Sequence, residues 1–121
     1  MTEQPEPRGE RRRAIVCISG SMRFMDTMLD AAADESLAGR IVLLPVVDMK
    51  TSRLRWATRA EQVEIKTRLD RLHLDKIDHA DELLVVNPGR YVGESTRREI
   101  AYAVSRGKPI RYLVAPDHPQ P

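Results

Sequence analysis

The chain has 121 residues with 20 Lys and Arg against 18 Asp and Glu, enough for one domain with a single layered core but too near charge balance for a nucleic-acid binder. Aromatic residues make up only 4% and do not interleave with the arginines, so no stacking platform for bases is expected either. A lone cysteine excludes an intrachain disulfide, and apolar runs too short for a membrane span or for a signal peptide after Arg11, Arg12 and Arg13 lead to the expectation of a cytoplasmic protein.

Residues 1–13 are polar, carry Pro5 and Pro7, and are expected to be a disordered tail. The proline-rich stretch 115–121 is expected to be loose as well, which places the domain at 14–114. Residues 14–19, AIVCIS, form a continuous apolar run closed by Gly20, the pattern of a buried strand. Cys17 within it is expected to be a buried, inert thiol. Phe24, Met25, Met28, Leu29 and Ala32 follow at helical spacing, and the methionines suit core packing. Residues 41–47, IVLLPVV, predict a second strand whose Pro45 belongs at its end or on an edge. From Thr58 to His79, the residues Val63, Ile65, Leu69, Leu72 and Ile77 recur among charges and predict a long amphipathic helix. ELLVVN at 82–87 predicts a third buried strand, stopped by Pro88 and Gly89. A helix is predicted over 96–106, ended by Gly107 with Pro109 beyond it, and a fourth strand over 110–114.

This alternation predicts an α/β fold of flavodoxin or Rossmann type, three layers around a parallel sheet of four or five strands in the order 2-1-3-4. In such sheets ligands bind beyond the carboxyl ends of the strands, where the order reverses between strands 1 and 3. Two loops rich in glycine and hydroxyls emerge there, SGSMR at 19–23 and NPGRYVGEST at 87–96. Neither fits a dinucleotide or P-loop fingerprint, and no cofactor is expected. Gly20 permits a sharp turn, Ser21 is able to cap the following helix, and Arg23 is placed to add a charge-assisted bond, a combination that suits phosphate or carboxylate. On the other side Gly93, Ser95 and Thr96 open a helix, with Tyr91 in the loop itself. One such loop is a common helix start; two converging at one switch point favour a ligand site.

Thr96-x-x-Glu99 has the spacing of a capping box, in which the glutamate only ties down backbone N–H groups. At a switch point the same residue also suits a catalytic carboxylate. Glu94 is the rival, less rigidly held. Tyr102 is expected to pack on the sheet, with a contact from its hydroxyl to Glu99 as the alternative. Asp75, Asp78, Asp81, His73 and His79 spread around one helix end, which reads as a solvated face, and no metal is expected. Trp56 reads equally as a hydrophobic anchor or as a lid over a base.

ISGSMR, HADELLVVN and GESTRREIAYAVSRGKPI, in that order and spacing over roughly residues 14–114, resemble the nucleoside 2-deoxyribosyltransferase-like superfamily, and most of all its short bacterial and phage members of unassigned activity. The resemblance implies an enzyme of the N-glycosidic bond, either a nucleotide N-hydrolase or a deoxyribosyltransferase. Glu99, in REIAYA, falls where the family's nucleophilic glutamate stands, a carboxylate able to form and release a glycosyl ester. Gly20, Ser21 and Arg23 fall on the loop that grips a 5′-phosphate, with Ser95 a second phosphate or ribose contact. Two positions depart from the pattern. Where the family has an aspartate before its third strand stands His73, which either donates a proton to the leaving base or simply packs on its helix. Where some members hold the nucleophile with a strand 1 tyrosine stands about Cys17. The resemblance further implies a nucleotide or nucleoside ligand and a homo-oligomer, dimer or higher. The departures leave room for a catalytically inactive nucleotide sensor or regulatory protein, or for a scaffold using the same fold.

Overall fold

The structure, a computed structural model, describes residues 12–117. The remainder of both expected tails, 1–11 and 118–121, lies outside the described residues. Strands β1 (Ile15–Gly20), β2 (Ile41–Leu43), β3 (Glu82–Val86) and β4 (Ile110–Tyr112) alternate with helices α1 (Met25–Leu37), α2 (Arg59–His79) and α3 (Glu94–Ser105). The sheet order is β2-β1-β3-β4, and every neighbouring pair is parallel. The fold is the Rossmann-like α/β arrangement predicted, with four strands.

The continuous apolar runs of β1 and β3 have a direct cause. Val16, Ile18, Leu84 and Val86 face Met28 and Ala31 of α1. Cys17, Leu83 and Val85 face the opposite layer, where Ile77 and Ala80 at the end of α2 and Ala103 of α3 cover them. A central strand covered on both faces has no reason to alternate. Burial at roughly 25 cal/mol per Å² of apolar surface makes these two strands the main source of stability.

The edges are shorter than predicted. β2 stops at Leu43 because Pro45 has no N–H for the ladder, so residues 44–51 leave the sheet. Lys76 of α2 holds that departing chain by donating to the Leu44 carbonyl at 2.9 Å. Beyond β4 a side chain continues the ladder. The buried Asn87 amide donates to the Val114 carbonyl at 2.8 Å and accepts from the Val114 N–H at 2.9 Å.

The helices differ from expectation in register. Phe24 lies in a 3-10 turn before α1, and Leu29 is 52% exposed; the buried residues of α1 are Met28, Ala31 and Glu35. In α2, Val63 and Leu72 face solvent, while His73 and Ile77 are the buried pair. Only the C-terminal half of this long helix reaches the sheet, so only there does the stripe bury. Thr58 and Glu61 form a reciprocal capping box at its start. α3 begins at Glu94 with Gly93 as N-cap, two residues earlier than predicted. Thr96 is therefore inside the first turn and buried, Glu99 is in the second turn, and the predicted Thr96-x-x-Glu99 capping box does not form. Gly107 ends α3 at φ +70°, a conformation cheap only for glycine, with Gly107 N–H on the Val104 carbonyl and Lys108 N–H on that of Ala103.

At the amino ends of the strands Arg111 of β4 joins two carboxylates. Its Nη2 donates to Glu35 at 2.5 Å and to Glu82 at 2.6 Å, and Arg40 approaches Glu35 at 3.3 Å. Nearby, Arg12 pairs with Asp81, which also accepts from the Ile15 N–H at 2.7 Å. Because the Arg111 guanidinium stays partly in water and Arg40 backs up Glu35, Arg111→Leu is expected to cost about 1 kcal/mol. Urea unfolding of the variant beside wild type measures this. No helix among the described residues is long and apolar enough to cross a membrane.

Candidate functional site

Beyond the carboxyl ends of β1 and β3 lies a cleft of about 360 Å³, within the range of small-molecule sites. Four segments wall it: Gly20, Ser21 and Met22 after β1; Pro45, Val47, Asp48 and Met49 from the chain released after β2; Lys66, Leu69, Asp70 and His73 of α2; and Tyr91 with the start of α3 through Glu99.

Local sequence explains how the two loops close on each other. A Cβ on Gly20 would stand 2.8 Å from the Val86 carbonyl oxygen and 3.1 Å from the Met28 sulfur, so only glycine lets β1 end this close to β3. Ser21 precedes the 3-10 turn without spending its hydroxyl on a cap. Gly93 caps α3 with no side chain at all, which leaves the first N–H groups of a twelve-residue helix without a side-chain acceptor beside the cleft.

Of the residues singled out in sequence, Gly20, Ser21, His73, Tyr91, Gly93, Ser95, Thr96 and Glu99 all line this cleft. Arg23 does not. It is exposed, and its guanidinium lies over the Tyr91 ring at 4.0 Å and the Phe24 ring at 4.9 Å. The Tyr91 ring in turn meets Phe24 edge-on at 6.0 Å, so Arg23 fastens the tyrosine at the rim. Trp56 is 67% exposed and lies outside the wall. The Tyr102 hydroxyl donates to Asp78 at 2.7 Å, not to Glu99. Glu94 reaches solvent and pairs with Arg98 at 3.3 Å.

Glu99 is the chemically distinctive member. Its carboxyl is 16% exposed, and burial pushes its pKa up to about 7, with the Ser19 hydroxyl holding part of that rise down. Asp70 adds to the rise, while Arg98 and Lys66 oppose it. His73 Nε2 stands 3.6 Å from Glu99, 2.9 Å from Ser19 Oγ and 3.7 Å from Cys17 Sγ. Burial, with help from Lys76, lowers the His73 pKa to about 4, so the ring is neutral at pH 7 and makes no ion pair with Glu99. Burial raises the Cys17 thiol to about 12, with Glu99 adding to it. That thiol is inert, as its apolar run predicts.

Several site residues escape a reading of the sequence, Asp48 and Met49 of the facing wall among them. Ser19 reads as the last residue of a strand, although period two from Cys17 puts it on the α2 and α3 face. Lys66 and Asp70, paired at 2.8 Å, share a helix face with Leu69 and His73 at helical spacing. Their signal was present but resembles any solvated stripe. Among the described residues no group of three or more His, Cys, Asp or Glu is placed to hold a metal.

No protein-family model matches the chain, and a search of curated proteins finds no match to it. Fold and geometry together define a Rossmann-like parallel α/β protein with a cleft at its switch point and a largely buried carboxyl in the cleft wall.

Proposed function

We propose that the cleft binds a nucleoside 5′-monophosphate and that Glu99 acts as nucleophile on its N-glycosidic bond. The observation that carries this reading is Glu99 itself: a carboxyl largely withdrawn from water, with a pKa near 7, on rigid helix α3 at the switch point. In the reaction the carboxylate bonds to the anomeric carbon as the bond to the base breaks, and the base leaves with that electron pair and takes a proton from solvent water. Water then opens the glycosyl ester in a hydrolase; a second base opens it in a transferase.

The phosphate belongs at the loop end of the cleft, on Gly20 and Ser21 and the N-terminus of α3, with Ser95 and Thr96 beside it. Elsewhere the cleft carries Asp48 and Asp70 against one lysine, Lys66, and this acidic excess disfavours an anion there; Glu94, the first residue of α3 itself, points to solvent and pairs with Arg98. Monophosphates are therefore expected to bind at least tenfold tighter than the matching nucleosides, about 1.4 kcal/mol, by calorimetry. Equal affinity would remove the phosphate assignment. Incubating the protein with a panel of monophosphates and separating released base by chromatography tests the reaction.

A second reading has one observation behind it. A neutral His73 with a pKa near 4 is a poor proton donor for a leaving base, and that favours a nucleotide-binding sensor on the same fold. Tight monophosphate binding without base release would establish it over the enzyme. Assembly into a homo-oligomer belongs to the same proposal and rests on the motif resemblance alone.

A further inference from the structure

Behind α3, away from the cleft, lies a second cavity of about 540 Å³. At 3.6 residues per turn Arg97, Ile100, Ala101 and Val104 share one flank of the helix, and Glu99 falls on the opposite flank. Across from them stand Val92, Tyr112 of the edge strand β4, and Pro116. The chain after β4 is held by polar bonds to the end of β3 and the loop beyond it, which leaves a gap between Pro116 and α3. Asn87 carries Val114, and Arg90 donates to the Ala115 carbonyl at 3.0 Å and pairs with Asp117 at 3.2 Å. Arg90 does so at φ +63°, directly after Gly89 at φ +62°, and is the one non-glycine with a positive φ among the described residues.

Two features of this trough select its occupant. Its walls are apolar yet wet: Val104 is 52% exposed, and Ile100 and Tyr112 are only half-buried. An apolar body laid between α3 and Pro116 would release that water. Its charges do not balance either. Asp117, the one carboxylate among the described lining residues, is taken by Arg90, whereas the Arg97 guanidinium pairs with no carboxylate among the described residues. A planar guanidinium beside apolar surface suits a carboxylate, and a single such cation suits one negative charge rather than a polyphosphate. A trough walled on two sides fits a small molecule better than the face of a second copy. We propose that the trough behind α3 binds a small amphipathic carboxylate, alkyl or aryl, with its apolar body between Val104 and Tyr112 and its carboxylate on Arg97. The site goes beyond the nucleotide reading and does not depend on it, since no residue lining the trough also lines the cleft.

Octanoate and its neutral amide, octanamide, test this on the full chain. Calorimetry should show one octanoate per chain, bound roughly tenfold or more tightly than octanamide, the worth of one charge-assisted bond. In ¹³C spectra octanoate should shift the methyl signals of Ile100, Ala101 and Val104. Arg97→Gln should erase the preference for the acid while leaving octanamide binding as it was. Val104→Glu should weaken octanoate by roughly tenfold or more, because it fills the trough and sets a like charge in it. Arg97 and Val104 are both exposed, so neither change reaches the core, and Arg97→Gln decides the matter if Val104→Glu does not fold. Equal affinity for acid and amide, an unchanged preference in Arg97→Gln, or unmoved methyl signals overturns the proposal. Two further results overturn it by naming another occupant. A dimer in sedimentation that Val104→Glu dissolves, with the same methyls shifting on dilution without octanoate, gives the trough to a second copy. Octanoate binding seen only after residues 118–121 are removed gives it to the chain's own end. Base release enters none of these readouts, so failure of the glycosidic reading leaves this result standing, and the reverse holds as well.

Discussion

Glu99→Gln is expected to abolish base release, with kcat falling by roughly three orders of magnitude or more, while monophosphate binding is kept. The amide preserves the shape of the side chain and its place in α3 but has no charge to attack with. The same variant is expected to be more stable than wild type at alkaline pH. In the folded protein Glu99 titrates at about 7, against 4.5 for an unperturbed glutamate, so the folded state holds this proton more tightly than the unfolded chain. Its contribution to stability is thus complete below about pH 4.5 and is lost as the pH rises to 7, on the order of 3 kcal/mol. Glutamine has no proton to lose, so the gap between variant and wild type should open between pH 5 and 8. Urea unfolding at several pH values, run beside a base-release assay, measures both effects. A variant as active as wild type would end the nucleophile assignment; equal stability at pH 5 and pH 8 would show that the carboxyl is better solvated than its place in the wall implies.

Gly20→Val is expected to lower stability by about 3 kcal/mol, at the upper end for overpacking, and to cost monophosphate binding as well. The first added carbon meets a backbone oxygen, the Val86 carbonyl at 2.8 Å, which has no rotamer in which to escape. β1 and β3 must then part at their carboxyl ends, and the loops that rim the cleft part with them. Thermal unfolding should fall by roughly 10 °C. A valine variant that melts and binds like wild type would show that the two strand ends have slack between them.

The strands and their order were legible because each carries a local signal that tertiary packing only reinforces. Continuous apolar runs at β1 and β3 mean burial on two faces, and Pro45 marks an edge. Helix faces were less legible. Val63 and Leu72 fit a stripe, yet half of α2 extends past the sheet, and no periodicity records where a partner layer stops. The start of α3 was misplaced because Thr96-x-x-Glu99 copies a capping motif, whereas Gly93 begins the helix with backbone geometry that leaves no side-chain signature. The glycine and hydroxyl loops and Glu99 line the cleft because the switch point brings the ends of β1 and β3 together, a position legible from the order of the strands. Ser19 was hidden because a serine at a strand end is ordinary until the histidine 54 residues away is seen against it.

The early end of β2 divides labour within the molecule. Glu99 stands on a helix clamped to the two central strands, the part of the fold least free to change. The wall facing it, residues 45–49, is chain that Pro45 has released from every ladder. Substitutions or insertions there would reshape what the cleft admits without straining the sheet or moving the carboxyl. If Glu99 is the nucleophile proposed, reactivity is built into the frame, and selectivity is left to a segment that evolution can rewrite at little structural cost.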